Sequence, residues 1–160
     1  MLDGPGNRFA WKRAGAVMTQ TPSKIVYTAR STATGGRQGH ATSEDGILDV
    51  DLTAPKEMGG PGTGTNPEQL FATGFAACFQ GALGLAGKKA GVDTSASKVT
   101  AEVGFGPEGD SYAITVDLLV AVPGVDVAKV QEVADVAHQL CPYSKATRGN
   151  VPVTVTAVQA

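Results

Sequence analysis

Two cysteines, Cys78 and Cys141, are the side chains of this sequence best suited to chemistry. A pair of thiols can fill a core, share a metal ion or form a redox couple. A single free cysteine reads first as a small buried residue. A second one facing the same core shifts the balance toward redox chemistry, which needs a thiolate. Burial alone raises a thiol's pKa and leaves it inert, whereas a nearby cation lowers it. The cations near apolar sequence are Arg37, in the turn GGRQG, and Arg148, shortly after Cys141. The ordinary place for either is solvated surface. His138 and Cys141 stand at i and i+3, but no CxxC pair supplies the usual zinc framework and His40 is remote in sequence. No metal is therefore expected. His138, close to a helix end, is expected as a cation facing the helix dipole.

Two helices must position the thiols. Cys78 lies within residues 66–91, NPEQLFATGFAACFQGALGLAGKKAG. Asn66 fits the N-cap, Pro67 the first helical position, and Gln69 stands three residues past the cap. Residues 70–86 carry no charge, and Leu70, Phe71, Phe75, Phe79, Leu83 and Leu85 run around the whole helix. That pattern predicts a helix buried on all sides. Its length and its glycines argue against a membrane span. Each helical glycine costs about 1 kcal/mol against alanine, so their number predicts close packing on the backbone. A second helix is capped by Asp126 and stopped by Pro142. Val127, Val130, Val133, Ala134, Ala137, Leu140 and Cys141 share one side of it, while Lys129, Glu132, Asp135 and Gln139 face away. If the two helices cross near their cysteines, the sulfurs meet.

The rest of the chain reads as strands. Residues 23–32, 41–45 and 47–53 alternate, with Asp45-Gly46 as a hairpin signal. The Gly- and Pro-rich loop 54–65 lacks the Gly-Lys-Ser/Thr of a phosphate loop. Strands 96–106 and 111–122 flank a turn at 107–110, residues 144–148 suggest one helical turn, and 151–158 a last strand. The order βββ-α-ββ-α-β predicts an α+β domain of antiparallel sheets and two long helices over residues 23–160. A net charge of −2 and only 6% aromatic residues argue against a nucleic-acid or anionic-membrane surface. Residues 1–22 show no sustained period and no signal-peptide core, and read as a flexible N-terminal extension. The expected compartment is the reducing cytoplasm, where a cysteine pair does chemistry more often than it holds a fold.

Three segments carry a resemblance. TATGGRQGHATSEDGILDVDL, TNPEQLFATGFAACF and CPYSKATRGN together resemble the organic hydroperoxide resistance branch of the OsmC/Ohr family, across residues 25–158. The sister OsmC branch shares the central helix and a Cys-Pro; the GGRQGHATSEDG turn and CPYSKATRGN favour the hydroperoxide branch. Residues 1–22 have no counterpart in that pattern.

The resemblance implies an OsmC-like fold: an intertwined homodimer whose sheets wrap the paired central helices. It places Cys78 as the peroxidatic cysteine, Cys141 as the resolving cysteine, Arg37 as the active-site arginine and Glu68 as its salt-bridge partner. It implies a peroxidase that needs no cofactor, takes organic hydroperoxides, and is recycled by the dihydrolipoamide dithiol of a lipoylated protein. Met58, Phe71, Phe75 and Phe79 are expected as apolar pocket walls. An OsmC-type peroxidase of different substrate preference and a non-enzymatic thiol sensor stand as alternatives, although no basic output helix is visible. Glu68 and Cys78 are ten residues apart, or about 15 Å of helix. The expectation is thus that Glu68, with Arg37, serves the Cys78 of the other chain.

Overall fold

The long helix α1, Pro67–Ala90, begins where Asn66 accepts the Gln69 N–H on its side-chain oxygen at 2.9 Å. It ends at Gly91, whose φ of 69° supplies the left-handed turn that closes a helix. The computed structural model describes residues 19–160, so most of the expected N-terminal extension lies outside the described residues.

Before α1, the strands β1 (Ser31–Thr34), β2 (His40–Ser43) and β3 (Asp49–Asp51) form a small antiparallel sheet in that order. After α1 come β4 (Lys98–Glu108), β5 (Ser111–Ala121), α2 (Val127–Leu140), the short helix α3 (Pro142–Thr147) and β6 (Val153–Ala157). The second sheet has the order β4-β5-β6. The chain has an α+β fold with two sheets and three helices.

Three expectations about the strands are corrected. First, β6 runs parallel to β5, with Val116 opposite Val153, so the second sheet is not wholly antiparallel. The chain leaves β5, crosses the sheet through α2 and α3, and returns in the same direction, which only a parallel pairing permits. Second, Pro107 belongs to β4, opposite Tyr112, and the turn is confined to Gly109 and Asp110. An edge strand tolerates proline because its free side needs no N–H. Third, residues 25–30 make no strand, and Ile25, Val26 and Tyr27 stand exposed. Their alternation is that of a strand, but no strand among the described residues lies beside them.

The core lies between the second sheet and the helices. Phe75, Phe79 and Leu83 of α1 meet Val116, Leu118 and Val120 of β5 and Val130, Val133, Ala134 and Ala137 of α2. Fully burying each of the larger side chains is worth about 1.5–3 kcal/mol. The expectation that α1 is buried on all sides holds for this face alone. Thr73, Ala77, Gly81, Gly84 and Leu85 form an exposed stripe on the other face, with Leu85 61% exposed. Uniform apolar character says that every face wants cover; it does not say that the same chain supplies it. The 24-residue α1 is also long and apolar enough, by length and composition alone, to cross a membrane, against the reading of its length. Its Phe75, Phe79 and Leu83 side is packed inside the fold.

Candidate active site

The α1 and α2 crossing brings the two thiols together. Cys141 sits where α2 breaks, its ψ of 124° taking the chain out of the helix and into Pro142. Its sulfur lies 3.5 Å from that of Cys78, and both cysteines are free. A disulfide needs about 2.05 Å, so closing the bond asks for about 1.5 Å of approach. The two are not equivalent: Cys141 is fully buried, whereas Cys78 retains some exposure. Tyr143 lies over the same region, its ring centroid 5.6 Å from Phe75 and 6.1 Å from Phe71. Gly74, one helical turn before Cys78, makes room for it. A Cβ there would stand 3.0 Å from the Tyr143 hydroxyl.

Burial pushes the Cys78 thiol up, and the neighbouring Cys141 adds to that, while the Tyr143 N–H pulls the other way. Among the described residues none of the groups acting on it is a cation. As it stands in one chain, Cys78 is a protonated thiol at neutral pH.

The cation lies off α1, on a turn held at the N-terminal end of that helix. Gly35 and Gly36, with φ of 72° and 58°, turn the chain into a 3-10 turn that carries Arg37. Arg37 grips Glu68, in the first turn of α1, with both arms: Nη2 donates to Oε1 at 2.7 Å and Nη1 to Oε2 at 2.9 Å. Such fork-to-carboxylate pairing fixes direction as well as position. Arg37 holds the Glu68 carboxyl below the usual carboxylate range, and Glu68 raises the guanidinium further. The guanidinium also lies 4.7 Å over the Phe105 ring, which stacks on Tyr112 at 4.8 Å. A cavity of about 360 Å³ opens beside this pair, lined by Met58, Glu68, Ala72, Val103 and Phe105 among others.

The four expected site residues thus form two pairs, Cys78 with Cys141 and Arg37 with Glu68. Within one chain the pairs stay apart, because ten helical residues span about 15 Å. Of the expected pocket residues, Met58 lines the cavity beside Glu68. Phe71 touches Phe75 edge-on at 5.9 Å and is partly buried. Phe75 and Phe79 are fully buried in the core of the single chain, and Phe75 also packs against Tyr143 at 5.6 Å. They fall on the α1 stripe shared with Leu83 and Ala86, which faces the sheet.

His138 is corrected as well. Burial and Arg148 push its pKa below the ordinary value, and its Nδ1 meets the Ser144 hydroxyl at 2.8 Å. Arg148, weighed as an activating cation, donates instead to the His138 carbonyl at 2.7 Å. Among the described residues no group of three or more His, Cys, Asp or Glu could hold a metal ion. Phe105, Tyr143 and Gly74 escaped the sequence reading. Phe105 is one strand position among many, and nothing local marks it as the floor under Arg37.

A family model described as OsmC-like protein matches residues 60–156, which include both thiols and Glu68. An organic hydroperoxide resistance protein of Xanthomonas axonopodis is 49% identical over 138 residues, covering 85% of this chain and 97% of its own. The chain belongs to the OsmC/Ohr family, in its organic hydroperoxide resistance branch. Solved Ohr structures agree with the fold. One from Elizabethkingia anophelis, with thiocyanate bound, superposes with a TM-score of 0.78 at 44% identity, covering 86% of this chain and 99% of that one. That of Bacillus subtilis OhrB gives a TM-score of 0.75 at 46% identity, covering 84% and 100%. The family model begins after the GGRQG turn, so Arg37 lies outside the matched segment.

Proposed function

We propose that this protein is a thiol peroxidase that reduces organic hydroperoxides to alcohols in the cytoplasm. The observation that carries the reading is the sulfur pair: 3.5 Å apart, one reachable and the other fully buried. The asymmetry sets the order of events. The Cys78 thiolate attacks the distal oxygen of ROOH, the O–O bond breaks, and ROH leaves with a proton, which turns Cys78 into a sulfenic acid. Cys141 then displaces the hydroxyl as water, forming the disulfide. A dithiol reduces it by exchange, releasing both thiols. The dithiol assigned here is dihydrolipoamide on a lipoylated protein.

Arg37 serves as the cation that this chemistry needs, stabilising the thiolate and the charge that develops on the leaving oxygen. It reaches Cys78 from a second copy of the chain. Two features support such a copy. The small-residue stripe of α1 is uncovered, with nothing within 4 Å of a Cβ built on Gly81 or Gly84. Residues 25–29, which belong to no strand, and the small sheet are largely exposed. An antiparallel partner α1 brings the Arg37–Glu68 end of one helix beside the thiols of the other, giving two equivalent sites. The apolar cavity beside Arg37 then suits an alkyl or aryl group better than the water-like hydrogen peroxide.

The test is peroxide consumption with dihydrolipoamide as sole reductant, comparing cumene hydroperoxide with hydrogen peroxide. Faster turnover of the organic substrate is expected, with none in Cys78→Ser and a single equivalent consumed in Cys141→Ser. Near-normal turnover by Cys78→Ser would show the assignment to be wrong.

A further inference from the structure

The segment CPYSKATRGN contains more fixed chemistry than the resolving thiol needs for itself. Cys141 is a break between two helices, and a break between helices is ordinarily a place where the backbone flexes. Here it is stapled. The ring of His138, in the last turn of α2, meets the hydroxyl of Ser144, in α3, at 2.8 Å. Ser144 is fully buried, so its hydroxyl depends on that ring rather than on solvent. Arg148, at the far end of α3, reaches back across the same break to the His138 carbonyl at 2.7 Å. The Thr147 hydroxyl closes the turn from within, donating to the Tyr143 carbonyl at 2.9 Å. The backbone of Cys141 is held on both sides, its N–H on Ala137 at 2.8 Å and its carbonyl on Lys145 at 3.0 Å. Burial keeps the His138 ring neutral, as suits a side chain acting as a fixed hydrogen-bonding partner.

We propose that His138 and Ser144 are positioning residues for disulfide formation, holding the Cys141 hinge so that its sulfur stays in range of Cys78. The assignment rests on the reading of Cys78 and Cys141 as attacking and resolving thiols. In the step concerned, the Cys141 sulfur bonds to the Cys78 sulfur and the sulfenic S–O bond breaks. The hydroxyl leaves as water with the Cys141 proton. From 3.5 Å the sulfurs need about 1.5 Å of approach to bond, a gap that widens if the backbone drifts. Fixed geometry of this kind carries much of the rate of an intramolecular reaction, and about 1 Å of misplacement can cost about a hundred-fold. The first step uses Cys78, Arg37 and the peroxide, and of the stapled segment only Cys141 and the Tyr143 N–H act on Cys78, so this step depends on the staple far less than the second.

Rapid mixing of the reduced full-length protein with cumene hydroperoxide separates the two steps. Dimedone trapping reads the sulfenic acid, and mass spectrometry of quenched samples reads the disulfide. In His138→Ala and Ser144→Ala, sulfenic acid should form at the parent rate. Disulfide formation should slow about ten-fold or more, with sulfinic acid accumulating at high peroxide. His138→Asn, which returns a polar atom near the Nδ1 position, should recover most of the second rate. Unchanged disulfide formation in both alanine variants overturns the assignment. Equal slowing of both steps does so too, since it marks a general structural defect. A parent protein whose Cys78 forms no sulfenic acid overturns the underlying thiol reading instead.

Discussion

Arg37→Ala gives the sharpest test of where the activating charge comes from. In one chain the guanidinium is pinned to Glu68, about 15 Å along α1 from Cys78. With an effective dielectric of about 20, a unit charge at that distance is worth about 1 kcal/mol, or about 0.8 of a pKa unit. Brought to about 4 Å by a second copy, the same charge is worth about 4 kcal/mol, or about 3 pKa units. Burial raises the Cys78 pKa in the single chain, so only the second arrangement yields a thiolate at neutral pH. Arg37→Ala should therefore move the pH profile of Cys78 alkylation upward by about two to three units and slow peroxide attack in proportion. Chains of Arg37→Ala and Cys78→Ser, each inactive, are then unfolded together, refolded, and the heterodimer purified. One of its sites carries both lesions and the other carries neither, so about half the parent activity should return, with the low-pKa alkylation profile. A heterodimer as inactive as its parents means that each site is built within one chain. An unchanged alkylation profile in Arg37→Ala removes the residue from the chemistry altogether.

Three further outcomes follow from the geometry. Glu68 has its folded pKa depressed by Arg37, so the pair stabilises above the unfolded carboxylate pKa and that stabilisation is lost as pH falls through the folded value. Glu68→Gln should cost about 1–2 kcal/mol in denaturant melts at pH 7, allowing for the half-exposed Arg37, and approach zero cost in acid below the folded pKa. A cost that does not shrink on acidification contradicts the pairing. On α1, Gly87→Ala should destabilise, because its Cβ meets the Thr94 methyl at 2.6 Å and the Val92 carbonyl at 2.8 Å. A Cβ added at Gly84 meets nothing within 4 Å among the described residues, so Gly84→Leu should keep the fold while weakening self-association in sedimentation. Unaltered association argues that the stripe is not a helix–helix contact.

How much of this was legible can be followed along α1. Its ends were, because Asn66-Pro67 and Gly91 are local devices that act through their own backbone. The meeting of Cys78 and Cys141 was also legible as a consequence of two helix faces. The function of its phenylalanines was not. Phe75 and Phe79 share a stripe with Leu83 and are fully buried, whereas Phe71 is only partly buried, and only the packed partners separate them. The direction of β6 was equally hidden, since alternation is the same in parallel and antiparallel strands. His138 was misread because the sequence showed a helix end, where a histidine faces water and the dipole. The break at Cys141 instead folds α3 back over that end and partly buries the ring.

The separation of the two pairs along α1 is itself a chemical argument. A thiol raised by burial is slow to oxidise and slow to exchange, so an isolated chain carries Cys78 in a protected form. The cation that reverses this is not free to move toward them, because Glu68 holds it in two hydrogen bonds and Phe105 lies under its plane. In the proposed dimer, the same clamp that keeps Arg37 away from its own Cys78 fixes its direction for the Cys78 of the other chain. Under the proposed arrangement, assembly and activation become one event: the thiolate forms only where two α1 helices lie side by side. Dilution below the dimer constant should then raise the apparent pKa of Cys78 alkylation toward that of Arg37→Ala. A low-pKa profile that persists in the isolated monomer would sink this coupling.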